Sequence, residues 1–261
     1  MNNITVVIWA YNQEKNIGEC ITSAKLLTED IILIDLESTD NTAILAQKKH
    51  CQIIKHPNQK FVEPVREFGI QQAKTDWIFL LDADERITPE IAKEVQQTIC
   101  TDGACPVSTK NITHYRLPRK NIFSGKKWFK HGGWWPDYQI RIINKKYFIS
   151  WPKTIHSTPL IQGQGGYFKN ALLHFSHKSL AKMVNTTLIF EDQESDLLFA
   201  ANKPVNTLTF FRKFWGELFR RLIKNLGFLD GNIGIIESIY QAFSKTITYL
   251  FLYEKKNRRS L

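Results

Sequence analysis

Trp77-Ile78-Phe79-Leu80-Leu81-Asp82-Ala83-Asp84-Glu85 joins an apolar run to an acidic one. Five apolar residues make a buried strand, and that strand runs straight into closely spaced carboxylates. Open α/β sheets bind ligands at the carboxyl ends of their strands, which is where this charge would lie. Carboxylates crowd together at a cost unless a cation neutralises them. The pattern therefore suits Mg²⁺ or Mn²⁺ carrying the phosphates of a nucleotide. A plainer reading is an acidic turn leading into the next helix, with Thr88-Pro89 as N-cap and first-turn pair.

Residues on either side favour the sheet. Ile4–Trp9 is a β-rich apolar run, followed by Ala10-Tyr11-Asn12 and a helical pattern over about 15–27. Residues 31–34 form a second buried strand ending at Asp35, and Ser38 and Asp40 offer N-caps for a helix reaching about Lys49. Residues 52–55 predict a short strand, 63–74 a helix and 77–81 the fourth strand. This alternation implies a parallel sheet with right-handed crossovers. Asn12, Asp35 and Asp82 then mark three strand ends at one edge.

From about Gly103 to His177 the pattern changes to aromatics, glycines and short β-like runs, predicting antiparallel strands and loops. Within it, Lys130-His131-Gly132-Gly133-Trp134-Trp135-Pro136-Asp137 suits either a loop presenting rings and one carboxylate or a turn with buried tryptophans. The last third is helical. Leu208, Phe211, Trp215, Leu218, Phe219, Leu222 and Leu226 share one face, as do Ile236, Ile239, Tyr240, Phe243, Ile247, Leu250 and Phe251. These faces are expected to pack on the domain. Phe210 and Phe214, extra aromatics beside basic residues, leave room for contact with a membrane interface.

At 261 residues the chain is long enough for one large domain, or a domain with an appendage. The four cysteines, at 20, 51, 100 and 105, contain no C-x-x-C pair and read as reduced residues of a cytosolic protein. Met1-Asn2-Asn3-Ile4 has no basic stretch ahead of its apolar run, so no secretory signal is expected. Nor is there an uncharged run long enough to span a bilayer. The net charge of +10 is uneven, with eleven Lys and Arg against four Asp and Glu from Lys203 onward. That excess suits an anionic partner: nucleic acid, a phospholipid surface or a phosphorylated substrate.

Ile8-Trp9-Ala10-Tyr11-Asn12, Asp35-Leu36-Glu37-Ser38-Thr39-Asp40-Asn41-Thr42 and Asp82-Ala83-Asp84-Glu85 resemble the three blocks of family 2 glycosyltransferases of the GT-A fold. The segment 131–141, with Ile155-His156, Leu172-Leu173-His174-Phe175 and Gly227-Phe228-Leu229-Asp230-Gly231, is similar to the lipopolysaccharide inner-core glucosyltransferase-like branch. By this resemblance Ala10, Tyr11, Asn12 and Glu14 lie around the nucleotide and Asp35 hydrogen-bonds its base. Arg66 faces the nucleotide, Asp82 with Ala83 meets the ribose, and Asp84 and His156 ligate the metal. Asp137 is the general base, and Trp134, Trp135 and Arg141 belong to the acceptor loop.

The resemblance also has departures. Leu36 stands where many relatives carry a second acid, which leaves the base unassigned. Ser157 replaces the acid that usually follows a Val-His pair. No Gln-x-x-Arg-Trp segment is present, which argues for addition of a single sugar.

The expectation is thus an α/β GT-A sheet in two halves, 1–102 binding the nucleotide-sugar and 103–177 serving the acceptor, with a basic helical appendage over 178–261. The expected activity is metal-dependent transfer of one sugar, with inversion, to a cell-envelope glycan or lipid-linked acceptor. The cofactor would be Mn²⁺ or Mg²⁺. The expected location is the cytoplasm, peripheral on the inner face of the cytoplasmic membrane, with an anionic membrane surface as a further partner and no nucleic acid. Two other readings stand beside it. A sugar-phosphate nucleotidyltransferase shares the fold, although the first loop lacks the glycine-rich basic stretch that cradles a triphosphate. A basic module binding nucleic acid or a membrane surface would use the C-terminal charge, although no nucleic-acid motif accompanies it.

Overall fold

The computed structural model describes residues 4–59, 61–99, 112–123, 127–155, 157–175 and 180–257. The chain forms two compact units, Met1–Arg119 with Tyr138–His174, and Lys120–Asp137 with Phe175–Leu261.

The first unit opens with strands alternating with helices: β1 (Ile4–Ala10), α1 (Glu14–Ala24), β2 (Ile31–Asp35), α2 (Thr42–Gln47), β3 (Gln52–Lys55), α3 (Glu63–Gln72), β4 (Trp77–Asp82), β5 (Glu85–Arg86) and α4 (Pro89–Thr98). β6 (Ile112–Phe123) begins in the first unit and runs into the second, which also holds β7 (Lys127–Trp128); then come β8 (Asp137–Asn144), β9 (Phe148–Ser150), β10 (Leu160–Ile161), β11 (Gln164–Tyr167) and β12 (Leu172–His174). The main sheet runs β3-β2-β1-β4-β8-β6-β12-β5. Its first four strands are parallel, and β8 joins β4 antiparallel. In the middle of the chain β11 departs from the antiparallel expectation, pairing parallel with β6.

Every residue of β1 and β2 is buried, as expected of parallel strands covered on both faces. Side chains alternate between two cores because successive Cβ atoms point to opposite faces. Val6, Ile8, Leu33, Phe79 and Leu81 pack with Ile17, Ile21, Ile91 and Val95 of α1 and α4. Val7, Trp9, Ile32, Ile34, Ile78 and Leu80 pack with Val65 and Ile70 of α3. Trp9 lies so close to α3 that a Cβ on Gly69 would sit 2.5 Å from its ring. Glycine is what allows this approach, and the Trp9 indole N–H donates to the Val65 carbonyl at 3.1 Å.

Capping follows the sequence at α4, where the Thr88 hydroxyl accepts from the Ile91 amide. At α2 it differs. Asp40 is not the N-cap residue; its carboxylate accepts from the Thr42 amide at 2.9 Å and the Glu14 amide at 3.0 Å, tying the starts of α1 and α2 together.

The second unit holds three longer helices, α5 (Leu180–Ala200), α6 (Thr207–Phe219) and α7 (Asn232–Asn257). The Asn206 side chain caps α6 in a reciprocal box with Thr209. Here the structure overturns an expectation. Leu208, Phe211, Trp215, Phe219 and Leu226 are exposed, and so are Ile236, Ile239, Phe243 and Leu250. Phe210, expected to be the spare aromatic, instead stacks edge-on against Tyr253 of α7 at 6.4 Å. The physical reason lies in what α7 mostly buries: Gly234, Glu237, Ser238, Ala242, Ser244 and Thr248, with Tyr249 and Leu252 as its two large buried residues. Small and polar groups fill the helix contacts, so the long apolar side chains point out.

Candidate active site

Strand register sets the site. Trp9 pairs with Asp82 and Ala10 with Asp35, so the two aspartates end the strands on either side of β1 at nearly the same level. Just beyond β1 the chain turns at Asn12, whose φ of 51° is a left-handed conformation that asparagine tolerates well. The Asn12 amide donates to the Ser38 hydroxyl at 3.0 Å, and its side-chain oxygen accepts from the Thr39 amide at 2.8 Å. Tyr11 is left exposed beside this turn. Asp35 is buried and accepts from the Ser38 amide at 3.2 Å. Glu14 is tied to Asn41, accepting from its side-chain amide at 3.2 Å. Leu36, at the missing acid, is buried apolar.

The acidic junction after β4 is the most highly charged part of the unit. Asp82 takes the Arg66 guanidinium at 2.5 Å on one oxygen and the Arg141 guanidinium at 2.6 Å on the other. The same Arg141 nitrogen reaches Glu85 at 2.6 Å, and Arg119 reaches Glu85 at 3.2 Å. Glu85 is fully buried, and its second oxygen accepts from the Asp82 amide at 3.2 Å. Burial would push the Asp82 carboxyl up, but Arg141 and Arg66 outweigh it and hold the group far below the usual carboxylate range. Burial would also lower Arg141, and the paired carboxylates Asp82 and Glu85 more than reverse that. Arg66 further lies over the Trp9 ring, 4.7 Å from its centroid.

Asp84 differs from its neighbours. Its side chain is partly exposed and stands 3.6 Å from Nε2 of His174 on β12. Burial pushes this carboxyl up, and hydrogen bonding and charge from His174 bring it below its ordinary value. Ala83, between the two acids, is buried in the core. His156 lies outside the described residues. Among the described residues there is no group of three or more His, Cys, Asp or Glu side chains placed to hold a metal by themselves.

A cavity of about 400 Å³ opens against this junction, lined in part by Arg66, Asp82, Arg119, Tyr138, Arg141 and Trp151. Three buried donors on its lining residues, Nη1 of Arg66, Nε of Arg141 and Nε1 of Trp151, have no hydrogen-bond acceptor among the described residues.

In the second unit, Asp137 accepts from the Asn121 side-chain amide at 3.2 Å, and the same amide reaches the Trp134 carbonyl at 3.3 Å. Trp134 stacks on Phe129, with Arg221 over its ring, and Trp135 meets Trp128 edge-on at 5.3 Å. The Trp-rich loop is therefore built on packed rings. It is fixed at its base by Asp230, whose carboxylate accepts from the Lys130 amide at 3.0 Å and the His131 amide at 2.9 Å.

Sequence reasoning gave no role to Glu85, Arg119 or His174. Arg119 carries no local signal. Glu85 stood inside the quoted acidic run, and His174 stood in a block quoted only for its resemblance.

A parallel sheet extended by antiparallel strands, with carboxylates at its carboxyl edge beside a polar cavity, defines a GT-A type transferase domain. The chain belongs to glycosyl transferase family 2, whose model matches residues 5–161. It is a glycosyltransferase, which replaces the nucleotidyltransferase reading. Among its relatives, an uncharacterised glycosyltransferase of Rickettsia typhi is 26% identical, with 97% of this chain and 88% of that protein covered. The lipopolysaccharide core biosynthesis glycosyltransferase LpsC of Rhizobium meliloti is 25% identical, over 66% of this chain and 63% of that one. Among solved structures, a glucosyl-3-phosphoglycerate synthase from Mycobacterium tuberculosis in complex with Mn²⁺, uridine diphosphate and glucosyl-3-phosphoglycerate is 13% identical. It covers 77% of this chain and 80% of its own, with a TM-score of 0.46.

Proposed function

We propose that this glycosyltransferase moves a single sugar from a nucleotide-diphosphate sugar to a cell-envelope glycan or lipid-linked acceptor, with inversion. The observation that carries the donor reading is the cavity beside Asp82, whose lining sets Arg66, Arg119 and Arg141 against Glu63 and Asp82. An excess of guanidinium groups there complements the diphosphate of a sugar nucleotide. LpsC, a relative named for lipopolysaccharide core synthesis, supports the envelope acceptor.

Ala10, Tyr11, Asn12 and Asp35 bind the nucleotide at the level of the β1 and β2 ends. Arg66 and Arg141 orient Asp82 from both sides, so that its carboxylate keeps one position and stays ionised. Asp84 and His174 offer one carboxylate oxygen and one imidazole nitrogen. That donor set fits Mn²⁺ or Mg²⁺, ions that commonly take only one or two protein ligands and fill their remaining positions with phosphate oxygens and water. Such an ion, when bound, supplies positive charge to the diphosphate leaving group. Asp137 accepts the proton of the attacking acceptor hydroxyl, which is a weak nucleophile until a base takes that proton.

A panel of nucleotide-sugars with Mn²⁺, scored for slow hydrolysis without acceptor, identifies the donor. Alanine at Asp84 and at Asp137 should each abolish transfer in a folded protein. Full turnover in either variant removes that residue from the mechanism.

A further inference from the structure

The C-terminal unit is built inside out. Along α7 the buried positions are Gly234, Glu237, Ser238, Ala242, Ser244, Thr248, Tyr249 and Leu252. A Cβ on Gly234 would lie 2.1 Å from the Gly227 carbonyl oxygen. The contact between α5 and α7 is closed by polar groups. Glu191 accepts from the hydroxyls of Ser244 and Thr248, Thr187 meets the Tyr240 hydroxyl at 2.7 Å, and Lys255 pairs with Asp192 and Asp196. Small residues and hydrogen-bonding side chains are what helices use to associate where lipid, not water, covers their outer faces.

The outer faces match. Leu208, Phe211, Trp215 and Phe219 of α6 recur at helical spacing and are 74%, 60%, 60% and 62% exposed. Ile223 and Leu226 continue the row past the helix end, and Ile236, Ile239, Phe243 and Leu250 form a second exposed row on α7. Water gives no reason to leave so much apolar surface uncovered, and contiguous patches of this kind mark interaction sites. Exposed Arg212 and Lys224 stand along the first row, while Arg220 is held by Glu217 at 2.5 Å. Among the described residues no helix is long and apolar enough to cross a membrane.

We propose that the α6 row, from Leu208 to Leu226, beds into the interfacial layer of an anionic lipid bilayer. Phe211, Trp215 and Phe219 enter the boundary between headgroups and acyl chains, and Arg212 and Lys224 meet lipid phosphates. An amphipathic helix with aromatic residues on one face and Lys and Arg beside them lies in the plane of a membrane surface. Charge decides between lipid and a second copy of this chain. From Lys203 onward the sequence has eleven basic and four acidic residues, so an isologous dimer through this face would set like charges against each other. Anionic headgroups complement them instead. The proposal extends the envelope-acceptor reading by giving the enzyme a lipid-facing side, but its geometry stands without a sugar donor.

The test uses the full chain and vesicles of phosphatidylcholine, alone or with about a third phosphatidylglycerol. Wild type should sediment with the anionic vesicles and be released by salt. The variant Phe211→Ser/Trp215→Ser/Phe219→Ser should bind roughly 100-fold more weakly with an unchanged circular dichroism spectrum. Arg212→Gln/Lys224→Gln should lose about fivefold per charge on anionic vesicles only. Unchanged vesicle binding by the triple-serine variant overturns the proposal. So does absence of vesicle binding by wild type, including the case where the serine variant converts a dimer to a monomer in analytical ultracentrifugation. Donor hydrolysis measured on the same preparations without lipid keeps the two readings apart, since vesicle binding requires no turnover.

Discussion

Arg141 and Asp82 are 2.6 Å apart at the end of β4, and the guanidinium nitrogen that makes this contact also reaches Glu85 at 2.6 Å. One side chain thus neutralises a carboxylate at the cavity and another that is wholly buried beneath it. Removing one partner of a buried pair costs far more than the pair contributes, because it leaves an uncompensated charge. Arg141→Ala should therefore destabilise the fold by about 3 to 5 kcal/mol, read from urea unfolding. A loss well under that would show that Arg119 alone satisfies Glu85.

The same network sets a pH dependence. The folded Asp82 carboxyl titrates far below its ordinary value of about 3.9, so protonation favours the unfolded chain. Its contribution is present above the ordinary value and is lost as pH falls through the folded one. Arg141 is raised, so its share is lost only at strongly alkaline pH. The Asp82 share of the unfolding free energy should be flat through the neutral range and decline below about pH 4. Asp82→Asn should be less stable at pH 7 and decline less in acid. A variant profile parallel to that of wild type would remove Asp82 as the source.

Asp137 can be tested without disturbing its support. Asp137→Asn keeps an oxygen for the Asn121 amide but cannot take a proton, so the fold should persist. Transfer should fall by about 10²-fold or more, while nucleotide affinity, measured by calorimetry, stays unchanged. Equal losses in affinity and turnover would point to a binding role instead.

Asp230 anchors the loop that carries Trp134, Trp135 and Asp137. Asp230→Ala frees two backbone amides and the His131 ring, bonds made to a buried carboxylate. Hydrogen bonds to charged groups are each worth about 1.5 to 3 kcal/mol. The variant should melt at lower temperature and lose turnover while donor hydrolysis falls less. An unchanged melt would show that ring packing alone holds the loop.

Gly69→Ala tests the approach of Trp9 to α3. The added methyl meets the indole at 2.5 Å, and overpacking of this kind costs about 1 to 3 kcal/mol. A more stable variant, as helix propensity alone would give, would mean that Trp9 can move aside.

Much of the first strand–helix segment was legible because its signals are local. The apolar run Trp77–Leu81, its carboxylates and the Thr88 cap each speak through neighbours in sequence, and the structure places them as strand, edge and N-cap. Arg66 was singled out by position, but its burial between Trp9 and Asp82 was not legible. Arg119, Arg141 and His174 come from strands remote in sequence, and only sheet order brings them to the acidic junction.

Strand–helix alternation, the acidic end of β4 and the basic C-terminal third follow from local signals, because periodicity, composition and charge are written residue by residue. Tertiary structure alone decided that Asp82 is clamped between Arg66 and Arg141 while Asp84 stays partly open beside His174. It also decided which face of α6 and α7 points outward. Periodicity shows that a helix has an apolar face, whereas the packing partner decides where that face goes. Here Gly234, Ser238, Ser244 and Thr248 took the inside, leaving Phe211, Trp215 and Phe219 at the surface.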